Sequence, residues 1–240
     1  MKNLYRIVGA ALLCLAAAAA VAADVQGPWS GKVLLGYLAT AGNSESTSAN
    51  LEAGVDWDGA RWHHSLSGRA IGQSQDNDTT AESYKATYGA RFDLSERTFL
   101  LGLLDYNKNR FTTYDQQVFE FVGLGRRLIR TDRQELDAEA GVGASQSDLR
   151  DGRNQDEGNW RASARYSLNI GENASFLQAL TVNSGSSNTF TESVTELRAN
   201  IYGSLAMVLS YTVRNNTDVL PGTDKTDTFA AVNLEYAFGQ

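Results

Sequence analysis

The chain has 240 residues, 42% of them hydrophobic, with 21 Lys and Arg against 28 Asp and Glu and a formal net charge of −7. That acidic balance argues against nucleic acid as a partner. A single cysteine, Cys14, excludes a disulfide framework. No stretch of about 18 apolar residues offers a helical membrane span.

Residues 1–23 read as a cleaved signal peptide. Lys2 and Arg6 form a charged start, residues 8–20 are an apolar run of Ala and Leu, and Ala20-Val21-Ala22 or Val21-Ala22-Ala23 supplies small residues for cleavage. Removal takes Cys14, Lys2 and Arg6 away, leaving 19 basic against 28 acidic side chains, a net charge of −9. Leu13 sits where a lipoprotein signal wants a small residue, which argues against lipidation of Cys14. The two prolines, Pro28 and Pro221, fall near chain ends or loops, and no linker or repeat interrupts the remainder. Residues 24–240 therefore form one domain.

That domain alternates residue by residue. From 47 to 57, Ala49, Leu51, Ala53, Val55 and Trp57 share one face, and Ser48, Asn50, Glu52, Gly54 and Asp56 share the other. Period two with one apolar face is a β-strand. Asp58-Gly59 reads as a two-residue hairpin turn. The returning strand puts Trp62, His64, Leu66 and Ala70 opposite Arg61, His63, Ser65, Ser67 and Arg69. The pattern recurs through 84–94, 136–144, 160–170 and 205–213, and twelve strands account for the chain. It is weakest over 99–108, 117–129 and 176–183, where both faces carry apolar residues.

The connections fall into two groups. Asp58-Gly59, 95–97, 130–133, 171–173 and Tyr202-Gly203 are tight, whereas 41–46, 75–80, 109–116, 148–158, 184–191 and 215–225 are longer and polar. Short turns at one rim and longer loops at the other are the habit of transmembrane β-barrels, the short ones being periplasmic. Trp29, Trp57, Trp62, Phe92, Phe99, Phe176, Tyr236 and Phe238 fall near the short-turn ends, and Tyr37, Tyr84, Tyr106, Trp160 and Tyr211 near the others. Two aromatic belts suit the two membrane interfaces. The expected fold is an all-β, closed, antiparallel transmembrane barrel of about twelve strands in the outer membrane of a Gram-negative bacterium. A water-soluble sandwich or lipocalin-like barrel also alternates, but gives no reason for belts or for turn asymmetry. An open sheet would leave unpaired edges.

The segment Tyr37-Leu38-Ala39-Thr40-Ala41-Gly42-Asn43-Ser44-Glu45-Ser46-Thr47-Ser48 resembles the opening signature of the YdiY-like family, domain of unknown function 481, described as salt-induced outer-membrane proteins. Asp105-Tyr106 followed by Arg110-Phe111, Gly123-Leu124-Gly125, Gly141-Val142-Gly143 and the closing Leu234, Tyr236 and Phe238 extend the similarity over nearly the whole domain. The resemblance implies an outer-membrane location and no established activity. One departure is the C-terminal aromatic signal for the barrel assembly machinery: Phe238 is followed by Gly239 and Gln240.

The residues call for no cofactor, no metal and no catalytic group. His63 and His64 are the only histidines, and as strand neighbours they point to opposite faces and cannot share one ion. Asp76-Asn77-Asp78 and Asp148, Asp151, Asp156 and Glu157 are oxygen-rich, but lack the spacing of a calcium loop. They read as solvated loop charge, with divalent bridging to lipopolysaccharide as the minority alternative.

The face opposite the apolar one carries Glu52, Asp56, Asp93, Asp137 and Glu139 against Arg61, Arg69, Lys85, Arg91, Arg161 and Arg165. Charges this frequent must face water or each other, and so line the lumen. Interdigitated signs would plug it with ion pairs, whereas segregated signs would leave a hydrated pore with a transverse field. Gly89, Gly141 and Gly143 on this face read as leaving space, which favours a narrow pore, although they also suit crowded strand contacts. The expected function is a narrow passive channel or, from the family description, an envelope-integrity barrel responding to osmotic stress. The alternatives are an outer-leaflet barrel enzyme, lipid-modifying or proteolytic, and a surface-display or adhesin barrel. Expected partners are outer-membrane lipid and lipopolysaccharide, with a monomer favoured. On this register Leu51→Arg drives a charge into lipid and impairs folding, whereas Glu52→Arg is tolerated.

Overall fold

A computed structural model describes residues 27–40, 46–75, 78–110, 114–219 and 224–239. The signal segment, Asp76 and Asn77 lie outside those residues. Twelve strands follow in chain order: β1 Trp29–Thr40, β2 Ser46–Asp58, β3 Trp62–Gln75, β4 Asp78–Asp93, β5 Thr98–Asn109, β6 Tyr114–Arg130, β7 Gln134–Leu149, β8 Asn154–Asn169, β9 Ala174–Ser184, β10 Thr189–Tyr202, β11 Leu205–Asn216 and β12 Thr226–Phe238. Each pairs antiparallel with its sequence neighbours, and β1 pairs with β12. The ring closes, so no strand edge is left unpaired, as a spanning sheet in hydrocarbon requires.

The alternation becomes an inside and an outside. A side chain that touches a strand other than its own neighbours must lie within the ring. Arg127 of β6 reaches Asp93 of β4, Arg198 of β10 reaches Glu235 of β12, and Asn50 of β2 reaches Asn233 of β12. These residues define the inward register. The outer wall carries the opposite set, where Val122, Val142, Leu66, Leu124 and Leu209 stand exposed. A band of exposed aliphatic side chains around a closed barrel is stable against lipid, not water.

Two features of the connections differ from the sequence reading. The β2–β3 turn spans residues 59–61, not Asp58-Gly59 alone, with the Gly59 N–H donating to Trp62 O at 2.8 Å. Arg61 lies in this turn rather than on the inward face. Its Nε donates to Asp93 O, and its guanidinium sits 4.5 Å from the centre of the outward Phe92 ring. At the opposite rim, most of 148–158, half of 184–191 and the described residues of 75–80 are strand, because backbone pairing continues beyond the membrane-height residues. The longest connection there is 217–225.

The interior is not uniformly polar. Leu34, Phe119, Phe121, Ala206 and Val208 are buried on the inward register beside Asn233, Glu235 and Asp105. Phe99, expected in the short-turn aromatic belt, is 1% exposed and points inward, with the guanidinium groups of Arg91 and Arg127 each 5.2 Å from its ring centre. Its place is made by Gly125, where a Cβ would strike the Phe99 ring. Gly143 likewise lies against Phe121 and Glu120 O, and Gly123 and Gly141 face each other's backbone across β6 and β7. These inward glycines therefore admit rings and close backbone approach. They do not leave an open bore, which corrects that ground for expecting one.

A charged lumen as the candidate functional site

At the periplasmic mouth, Asp93 gathers three cationic or ionisable partners. Arg127 Nη2 donates to both of its oxygens at 2.8 and 3.0 Å, Arg91 Nε lies at 3.7 Å, and His63 Nε2 at 3.2 Å. His63 Nδ1 meets Asp58 at 2.6 Å. Both ring nitrogens of His63 are thus occupied by carboxylates, those of Asp58 and Asp93. His64 faces outward, 2.9 Å from Tyr88 OH and stacked on Trp62. The two histidines therefore lie on opposite faces of the wall.

Higher in the barrel a second network crosses the lumen. Glu52 receives Arg69 at 2.6 Å, and Glu192 receives Arg214 Nε at 2.7 Å. Lys85 Nζ stands 3.4 Å from Glu192 and 3.7 Å from Asp105, and Asp105 also accepts the Thr87 hydroxyl. Strands β4 and β10 are six positions apart in a twelve-strand ring, so Lys85 and Glu192 project from opposite walls. Twelve strands about 4.8 Å apart and tilted about 40° close a circle roughly 25 Å across. Extended lysine and glutamate side chains joined by this contact span only about 15 Å between their Cα atoms, by standard covalent geometry. The barrel is therefore flattened, its short axis running from β4 to β10.

The remaining candidates are placed as follows. Glu139 accepts Ser163 Oγ at 2.8 Å. Arg161 donates from Nη1 to Asn183 Oδ1 at 3.1 Å. Asp56, Asp137 and Arg165 lie on the same inward register without an ion pair within 4.0 Å among the described residues. Acidic and basic groups alternate around the ring instead of occupying separate walls, so the transverse-field arrangement is not the one present. Among the described residues the loop acids are not gathered into one site. Asp148 accepts Gln116, Asp151 is held by Arg153, and Glu157 accepts Ser186 Oγ and Ser187 N. The Arg153 backbone N–H, with its guanidinium, keeps the exposed Asp151 carboxyl below the usual carboxylate range.

Sequence reasoning did not single out Lys32, Asp105, Arg127, Glu192, Arg198, Arg214 or Glu235 as lumen charges, although Asp105 belongs to the family-like segments. Their signal was present as period two: Glu235 lies between Leu234 and Tyr236, and Arg198 follows Leu197. Arg127 was obscured by a register shift between Arg127 and Ile129, which breaks the alternation of β6. In β9 the register is unbroken, and it is a polar residue on the outward face, Gln178, that blurred the pattern. Its amide is satisfied in place by the Ser193 and Thr195 hydroxyls.

Closure, twelve strands, an aliphatic outer wall and a charged interior define a transmembrane β-barrel of the outer-membrane type. Two solved outer-membrane proteins share this architecture. The NanC porin superposes with a TM-score of 0.53 at 12% identity, covering 88% of this chain and all of that one. The COG4313 outer membrane channel from Pseudomonas putida F1 gives 0.54 at 10% identity, covering 89% and 96%. The family model for the protein of unknown function DUF481 matches residues 33–238, and the chain belongs to that family. Among curated proteins, uncharacterized protein YdiY of Escherichia coli strain K12 is 26% identical over 216 residues, covering 90% of this chain and 85% of the relative.

Proposed function

We propose that the protein is a narrow passive channel of the outer membrane, exported through a signal peptide cleaved near residue 23, that acts without enzymatic chemistry. The observation that carries this reading is the Lys85–Glu192 contact. It joins opposite walls with two flexible side chains from the strands themselves. Both side chains are partly exposed, at 21% and 12%. Such a bridge narrows the lumen while remaining able to yield to a passing solute, unlike a packed apolar plug. The similarity to a porin and to a channel supports the same reading.

In this setting Trp29, Trp57, Trp62, Tyr236 and Phe238 anchor the periplasmic rim at the headgroup layer. Tyr37, Tyr84, Trp160 and Tyr211 do so at the outer rim, against lipopolysaccharide. Most of these rings stand about half exposed on the outer wall, which is the accessibility an interfacial anchor needs.

The test is single-channel conductance of the refolded mature protein in a planar bilayer, beside Lys85→Gln. Glu192 keeps Arg214 in that variant and Asp105 keeps the Thr87 hydroxyl, so the walls lose their bridge while each carboxylate retains a hydrogen-bond donor. The expected result is small discrete steps for the wild type and larger ones for the variant. Silence from both proteins, shown independently to be folded and inserted, would overturn the channel reading. The alternating charge pairs would then mark a closed barrel that reinforces the envelope.

A further inference from the structure

The bridge divides the ring into two arcs of five strands each, and the two are filled differently. At the height of Lys85 and Glu192, one arc runs through β5 to β9 and the other through β11, β12 and β1 to β3. The second arc is filled and electrically closed. Asn50 and Asn233 are hydrogen bonded across β1 at 2.7 Å, and Leu34 is 3% exposed below them. Each inward cation there has its carboxylate: Lys32 with Glu235, Arg69 with Glu52 and Arg214 with Glu192.

The β5–β9 arc is different at β8. Among the described residues, neither Arg161 nor Arg165 has a carboxylate within ion-pair distance. Arg161 has its Nη groups on neutral oxygens, Asn183 Oδ1 at 3.1 Å and Thr181 Oγ1 at 3.5 Å. Its guanidinium lies 5.6 Å from the Phe121 ring centre, and its Nε is buried without a hydrogen-bond partner. Its register partners are Gly141 and Asn183, so neither adjacent strand presents an acid to it. Glu139, the acid of the next inward position on β7, is held by Ser163 instead.

A buried donor on a charged group, left unsatisfied, is among the more expensive polar defects. Planar oxyanions match a guanidinium edge with charge and geometry together. We infer that Arg161 is the centre of an oxyanion site in the β5–β9 half of the lumen, taking a carboxylate or phosphate group. Asn183 and Thr181 hold the guanidinium flat from one side, and Phe121 covers its face. Arg165, four residues nearer the periplasm on the same inward register, forms the next cationic position about 13 Å along the strand. The inference rests on the channel reading for its physiological sense but not for its test.

The experiment has two arms. In the first, the folded barrel in detergent is titrated calorimetrically with acetate and, separately, with inorganic phosphate. Wild type is expected to bind at least one of them saturably, the tighter one naming the group the site takes. Arg161→Gln should lose at least tenfold in affinity, and Arg161→Lys should fall between, keeping charge without the planar fork. Folding of each variant is checked by heat-modifiable electrophoretic migration, and the Lys variant keeps the test open if the Gln variant does not fold. In the second arm, the reversal potential across a KCl gradient should shift away from anions in the variant. No saturable binding of either anion, or equal affinity in wild type and both variants, overturns the site even if the barrel conducts. A silent bilayer with intact, Arg161-dependent binding overturns the channel reading alone and upholds the site.

Discussion

Replacing Asp93 by Asn tests whether the periplasmic-mouth network behaves as a buried ion pair. Asp93 accepts two hydrogen bonds from Arg127, whose side chain is only 6% exposed and whose Nε has no partner. Arg127 keeps one further bond, from Nη1 to Glu96 O at 2.9 Å. Removing one partner of a buried pair costs about 3–5 kcal/mol, because the other charge is left uncompensated. Asp93 itself is 21% exposed at the mouth, and water there screens part of that loss. The expected destabilisation is therefore about 2–3 kcal/mol. Equilibrium urea unfolding in phospholipid vesicles, followed by tryptophan fluorescence, measures it. The double variant Asp93→Asn with Arg127→Met removes this pair but still takes Asp93 from Arg91 and His63, so it should lie well short of the sum of the two single losses without regaining wild-type stability. A single-variant loss under about 0.5 kcal/mol, or strict additivity in the cycle, would refute the reasoning and mean that the pair is solvated.

Leu51→Arg places a charge on the outer wall, and on refolding into vesicles should lose roughly 2–4 kcal/mol if it lies near the midplane. Glu52→Arg, tolerable on sequence pattern alone, sets a second cation against Arg69, which now lies 2.6 Å from the carboxylate. It should also destabilise, whereas Glu52→Gln with Arg69→Met should not. Equal losses for Glu52→Arg alone and in an Arg69→Met background would show that the ion pair is irrelevant. Gly143→Val drives a side chain into Glu120 O and the Phe121 ring. An overpacking loss of about 1–3 kcal/mol is expected in the same unfolding assay, and wild-type stability would mean that β6 and β7 are not as close as described.

Much of the architecture was legible because period two is a local property. Thr47 to Trp57 alternates in the chain as it alternates in β2, and the same holds for β4, β7, β8 and β11. The pattern failed where a residue's side is set by something distant. Phe99 reads as a belt aromatic, but turns inward because Gly125 on the next strand leaves a face for its ring and two arginines cover it. Arg61 reads as the first residue of an alternating strand. It belongs to a turn because Gly59 bonds back to Trp62 and ends the ladder at Asp58.

Alternation and the two kinds of connection are properties of neighbouring residues, and they determined by themselves that the chain is a closed transmembrane barrel with a charged interior. Which charges meet across the lumen is decided by closure and flattening of the ring. Lys85 and Glu192 are separated by 107 residues and become partners only because opposite walls approach. Arg161 carries the same charge as Arg69 in the sequence. The register between neighbouring strands places Arg69 opposite Glu52 and leaves Arg161 between a glycine and an asparagine.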